Sequence, residues 1–179
     1  TNNESVLQTD TLYFDRAKQE AYYNTFGKIT SDKTVIKSES GTYIVESDKY
    51  EFISDVQVID PSFTIFSQRM DYYTDTRHAY FYGATSIQGE EYDIFCHKGF
   101  FDSVSKKGYF QDKASVDYNF RNISGDSIYF DDQLKYAAAS RQVKIIDTIG
   151  NNVIRGQFGE IFKAKDSAIV TKQPIAINV

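Results

Sequence analysis

The sequence predicts an all-β chain, a stack of about six antiparallel hairpin repeats of ~29 residues each. Three observations carry this. Aromatic residues make up 16% of the chain, with 14 Tyr and 14 Phe and no Trp, and Tyr, Phe, Val, Ile and Thr suit the pleated, half-buried surface of a strand. A pattern of residue types recurs along almost the whole length. Within each copy the apolar positions fall two apart, which is the signature of a strand with one buried face.

The recurrence is anchored on Phe14, Tyr43, Tyr72, Phe101, Phe130 and Phe162, spaced 29, 29, 29, 29 and 32 residues apart. Nine residues after each anchor stand Tyr23, Phe52, Phe81, Phe110, Ala139 and Thr171, and fifteen after stand Ile29, Val58, Ile87, Val116, Ile145 and Ile177. In the first four copies a further column follows at Ile36, Ile65, Ile94 and Ile123. A small-residue column lies two positions beyond it, at Ser38, Ser67, Cys96 and Gly125. In the fifth copy this pair reappears as Ile154 and Gly156, displaced by two residues, as an insertion within "IIDTIGNN" would produce. Pattern is kept without identity because each repeat must present the same inward positions but packs only on its neighbours.

Each copy reads as two long strands. Ala79, Phe81, Thr85 and Ile87 mark one, and Tyr92, Ile94 and Cys96 the other. From Cys96 to Gly99 and Phe101 the step is three and then two, so side chains change face near His97 and Lys98. A β-bulge or bend does this, and such bends turn strands between two packed sheets. A corner is therefore expected there in every copy. The intervening turns are rich in Asp, Ser, Gly and Pro: Glu46–Lys49, Thr74–Arg77 and Ser103–Lys106 in one set, Thr30–Lys33, Asp60–Ser62 and Gln88–Glu90 in the other. Pro174 falls inside the strand-like run "KQPIAINV", which places that run on an edge or at a bulge.

Charge and composition remove several function classes. A net charge of −5 and no Lys/Arg cluster argue against nucleic-acid binding and against a basic membrane-surface helix. No apolar run is long enough for a transmembrane helix, and the polar start "TNNESVLQTD" is not a signal peptide. The lone Cys96 excludes an internal disulfide framework. The first residue is not Met and the last residues are strand-like, so a piece of a longer protein is expected. The division is a polar extension over 1–11 and one β domain over 12–179.

Neither catalysis nor a cofactor is expected. His78 and His97, the two histidines, fall in a turn and at the predicted corner, and adjacent Cys96 and His97 point to opposite faces of a strand. Cys96 shares the small-residue column with Ser67 and Gly125 and is read as packing. The many carboxylates lie mostly in turns, with no convergent acid–base pair and no metal-ligand constellation. Arg77, Lys106 and Lys107 occupy equivalent turns. They form either a basic rim or simply a solvated surface.

The module Tyr43, Phe52, Val56, Val58, Ile65 and Ser67, repeated as Tyr72, Phe81, Thr85, Ile87, Ile94 and Cys96, resembles the OstA-like, or LptA-like, domain of Gram-negative lipopolysaccharide transport. The resemblance runs from about Leu12 to Val179 and rests on repetition of a degenerate motif. It implies an open β-jellyroll, working in the periplasm without catalysis, whose apolar groove shelters the acyl chains of lipid A. It also implies that edge strands join the domain to other Lpt-type jellyrolls or to itself. The groove-lining candidates are Phe52, Val58, Ile65, Phe81, Ile87, Ile94, Phe110, Val116 and Ile123, which would otherwise fill a closed core. The alternative function is a structural or adhesive β-repeat without lipid ligand, binding glycan through exposed Tyr80 and Tyr82. A parallel β-helix would differ in strand direction.

Overall fold

The computed structural model describes residues 5–118 and 120–178. Of the segments assigned above, residues 1–4 of the extension and Asn119 and Val179 of the β domain lie outside the described residues. Contacts divide the chain into two compact units, Thr1–Glu90 and Glu91–Val179.

The first unit contains β1 (Val6–Thr9), β2 (Tyr13–Asp15), β3 (Glu20–Tyr23), β4 (Gly27–Ser31), β5 (Thr34–Ser38), β6 (Ser40–Ile44), β7 (Lys49–Asp60), β8 (Phe63–Tyr73) and β9 (His78–Gly89). β7, β8 and β9 pair in sequence. On the other side of β7 the sheet divides, because its C-terminal half pairs with β5 and its N-terminal half with β6. β5 continues to β4 and β1, and β6 to β3 and β2. The pairs β3/β4 and β5/β6 are thus long strands broken at their middles.

The second unit contains β10 (Asp93–Asp102), β11 (Lys107–Tyr118), β12 (Arg121–Asp131), β13 (Tyr136–Asp147), β14 (Asn152–Phe162), β15 (Ser167–Thr171) and β16 (Ile175–Asn178). β10 to β14 pair in sequence, and β15 and β16 pair with opposite halves of β14. Every described pair in both units is antiparallel, which excludes a parallel β-helix. Pro174 sits between β15 and β16, each paired only with β14, as an edge proline requires.

The long strands bend. Register shifts fall at Ser67/Arg69 and at Phe95/Lys98, the predicted corner, and at Ser124/Ser127. The partner strands bend as well, which the sequence reading did not anticipate. Their bends carry left-handed backbone at Ser54–Asp55, Asp112–Lys113, Arg141–Gln142 and Lys172–Gln173, with a single Gly83 at φ 88° in β9. Gly adopts that conformation freely and Asp tolerates it, and a parity count over apolar positions passes over all of these residues. In the first unit hydroxyls take up carbonyls freed by the bend: Ser38 donates to the Ser40 carbonyl at 2.9 Å, Ser67 to that of Arg69 at 2.9 Å, and Thr85 to that of Gly83 at 3.1 Å.

Three sequence assignments are corrected. His78 begins β9 and is not in the preceding turn. Lys107 likewise begins β11 and is not in the turn before it. The sixth repeat is displaced by one residue: Ile161, Val170 and Ala176 continue the cross-strand rows, and Phe162, Thr171 and Ile177 do not. A one-residue slip turns every side chain to the other face, so choosing the nearest aromatic as anchor misplaced the whole copy.

Candidate lipid-binding interior

The inward positions form cross-strand ladders. In the first unit Ile29, Ile36, Val58, Ile65 and Ile87 stand in unbroken register across β4, β5, β7, β8 and β9. In the second, Ile94, Val116, Ile123, Ile145 and Ile154 do the same across β10 to β14. On the other side of the bends run Tyr23, Gly41, Phe52, Met70 and Phe81 in the first unit, and Gly99, Phe110, Ile128, Ala139 and Gly159 in the second. No charged side chain stands in these rows, and β-branched and aromatic neighbours of this kind stabilise a sheet pairwise.

All nine groove candidates lie in these ladders. Phe52, Phe81, Ile87, Phe110, Val116 and Ile123 are fully buried, and Ile94, Ile65 and Val58 are 1%, 2% and 6% exposed. The bend brings the two halves of a strand pair face to face. Gly159, beyond the bend of β14, approaches the Ile145 side chain of β13 so closely that a Cβ there would lie 3.3 Å from Ile145 Cδ1. The candidates are therefore buried within their own units and stand in cross-strand register.

Sequence reasoning placed Tyr92 and Phe130 in the repeat but missed that the free ends of the second unit meet. Tyr92, just before β10, packs on Phe130 with ring centroids 4.6 Å apart, and Tyr118, at the end of β11, stacks on Phe130 at 6.0 Å. Phe130 lies at the opposite end of the strands, across from Gly108. Ion pairs join the same two ends: Glu91 with Lys163 at 3.0 Å and Lys135 at 3.2 Å, and Asp166 with Arg121 at 2.6 Å. The available signal was that turn charges 29 residues apart, as in Lys106 and Lys135, recur with the repeat. Which end of the folded strand they meet is set by the bend and is invisible in spacing.

Cys96 is fully buried, and burial alone pushes its thiol up to about 12. It sits under Gly99 and Phe110, in the packing role assigned to it. His97 lies beside the ring of Phe95, with Nδ1 3.3 Å from the Asp112 carbonyl. Among the described residues no group of three or more His, Cys, Asp or Glu is placed to hold a metal ion. Of the candidate basic rim, Lys107 is committed to the fully buried carboxylate of Asp131 at 3.0 Å.

Among solved structures, LptH of Pseudomonas aeruginosa, described as the LptA-homologous periplasmic component of the lipopolysaccharide transport device, is similar over 98% of this chain and 94% of its own. The identity is 11% and the TM-score 0.35. No curated protein matches the chain. The family model described as OstA-like protein matches residues 1–68. The matched residues hold the ladder Ile29, Ile36, Val58 and Ile65.

Proposed function

We propose that this chain is a periplasmic lipopolysaccharide-binding protein, active in transport or in assembling a transport bridge, which shelters lipid A acyl chains between the bent halves of its strands. It acts without catalysis. The carrying observation is the pair of uncharged, in-register ladders in each unit, which supply a continuous apolar surface, together with the OstA-like match over residues 1–68. Keeping an acyl chain from water is worth about 0.8 kcal/mol per CH₂, on the order of 10 kcal/mol for a chain of lipid A length. A surface of this kind removes most of that barrier.

In this reading Phe52, Val58, Ile65, Phe81, Ile87, Ile94, Phe110, Val116 and Ile123 exchange contacts with each other for contacts with acyl chains. Edge strands β1, β2, β15 and β16 offer backbone pairing to other Lpt-type jellyrolls or to a second copy. The near-complete burial of the nine favours a second reading, a structural or adhesive repeat whose interior only holds its shape.

Photo-crosslinking to lipopolysaccharide separates the two, with the probe placed in turn at Phe81, Ile87 and Ile94 and at outward Tyr80 and Tyr82. Adducts at the first three alone support lipid shelter. Absence of adducts in protein shown to be folded moves the assignment to the structural repeat.

A further inference from the structure

The free ends of the second unit carry a charge arrangement that a purely structural closure does not need. Three cations lie there. Lys135 bonds Asp132 at 2.7 Å within its own turn and reaches Glu91 at 3.2 Å across the gap. Arg121 bonds Asp147 on the neighbouring strand at 3.0 Å and Asp166 across the gap at 2.6 Å. Lys163 holds Glu91 at 3.0 Å and lies 5.3 Å from the centre of the Tyr118 ring.

The carboxylates that cross the gap are the exposed members of these pairs. The Glu91 and Asp166 side chains are 46% and 73% exposed, against 19% for Lys163 and 16% for Arg121. An exposed carboxylate over a partly buried cation is exchangeable for another anion at small desolvation cost. The Tyr118 hydroxyl, on the ring that Lys163 overlies, is buried and has no hydrogen-bond partner among the described residues. A buried donor of this kind calls for an acceptor.

We propose that Lys135, Lys163 and Arg121 form a latch that binds the phosphate headgroup of an anionic amphiphile. The headgroup displaces Glu91 and Asp166, provides the acceptor for Tyr118 and frees the two ends to part around the lipid chains. This rests on the lipid-binding reading above and adds to it where the lipid enters and which group it must carry. Phosphate oxygens match the forked donors of Arg121 and the point charges of the two lysines.

The test uses the whole chain with dioctanoyl phosphatidic acid, dioctanoyl phosphatidylcholine and inorganic phosphate as probes. In the Glu91→Gln/Asp166→Asn double variant, amide exchange at Tyr92, Tyr118, Lys135 and Lys163 is expected to accelerate at least tenfold, with the bend amides unchanged. Phosphatidic acid should produce the same acceleration in the native protein, and Lys135→Gln/Lys163→Gln should weaken its binding at least tenfold. Unchanged exchange in the first variant overturns the latch. Equal binding of phosphatidylcholine, or the full effect from inorganic phosphate alone, overturns the headgroup assignment. Interior crosslinking to lipopolysaccharide that is indifferent to all these variants would sink this proposal while leaving the lipid-binding function standing. Phosphatidic acid bound at the latch without interior labelling would do the reverse.

Discussion

Phe130 and Tyr118 lie at opposite ends of the β11–β12 pair, yet their rings stack with centroids 6.0 Å apart. Phe130 stands across from Gly108, ten residues before Tyr118, a run that would span about 33 Å if straight. The bends at Asp112–Lys113 and Ser124/Ser127 close that distance. Folding a hairpin over on itself gives each repeat two sheet faces, and a ring touching both ends reports whether the fold is closed.

Phe130 is fully buried and packs against both Tyr92 and Tyr118. Phe130→Ala leaves a cavity between the two halves, with an expected loss of about 3–5 kcal/mol, measured by denaturant unfolding followed by circular dichroism. A loss below about 1 kcal/mol would mean the ends are not held together by this contact.

Ser67 links the two sides of a bend. Its hydroxyl meets that of Thr85 at 2.8 Å and donates to the Arg69 carbonyl at 2.9 Å. Ser67→Ala leaves the Arg69 carbonyl without its hydroxyl donor, while Thr85 keeps the Gly83 carbonyl, at an expected cost of about 1–3 kcal/mol. Ser47→Ala, at an exposed position between β6 and β7, provides the comparison, and equal midpoints for the two variants would show that the Ser67 hydroxyl does not pin the bend.

Burial holds the Cys96 thiol up to about 12, and thiolate is the reactive form. Native protein at pH 8 is therefore expected to resist alkylation by iodoacetamide, reacting only with the opening of the second unit. The rate should rise steeply in denaturant, which a time course by mass spectrometry reads directly.

The closure of the second unit depends on pH in a fixed direction. Hydrogen bonds from Lys163 and then Lys135 hold the Glu91 carboxyl below its usual range. The Gly150 N–H and then Arg121 do the same for Asp147. Depressed carboxylates contribute stability that is present above the unfolded value, near pH ~4, and lost as pH falls through the folded one. Amides of Tyr92 and Lys163, corrected for intrinsic rate, should lose protection below about pH 4, and Glu91→Gln should blunt that change.

The repeat was legible because burial acts on residue type at fixed spacing. Val58, Ile65 and Ile87 hold one register and one face, and nothing else satisfies a row of inward positions. The corner near His97 was legible because it breaks parity. The bends at Ser54–Asp55 and Arg141–Gln142 were not, because two consecutive left-handed residues restore parity and leave the apolar columns undisturbed. The meeting of Glu91 with Lys163 was hidden for a related reason. Residues 72 apart in sequence become neighbours only after several strands have folded over.

The most direct test of the account is methyl NMR of isoleucine-labelled protein titrated with lipopolysaccharide. Acyl chains entering between the halves would shift the buried methyls of Ile65, Ile87, Ile94 and Ile123 and leave exposed Ile149 and Ile175 in place. Saturable binding that shifts only Ile149 and Ile175 would put the lipid on the outer surface and contradict the account.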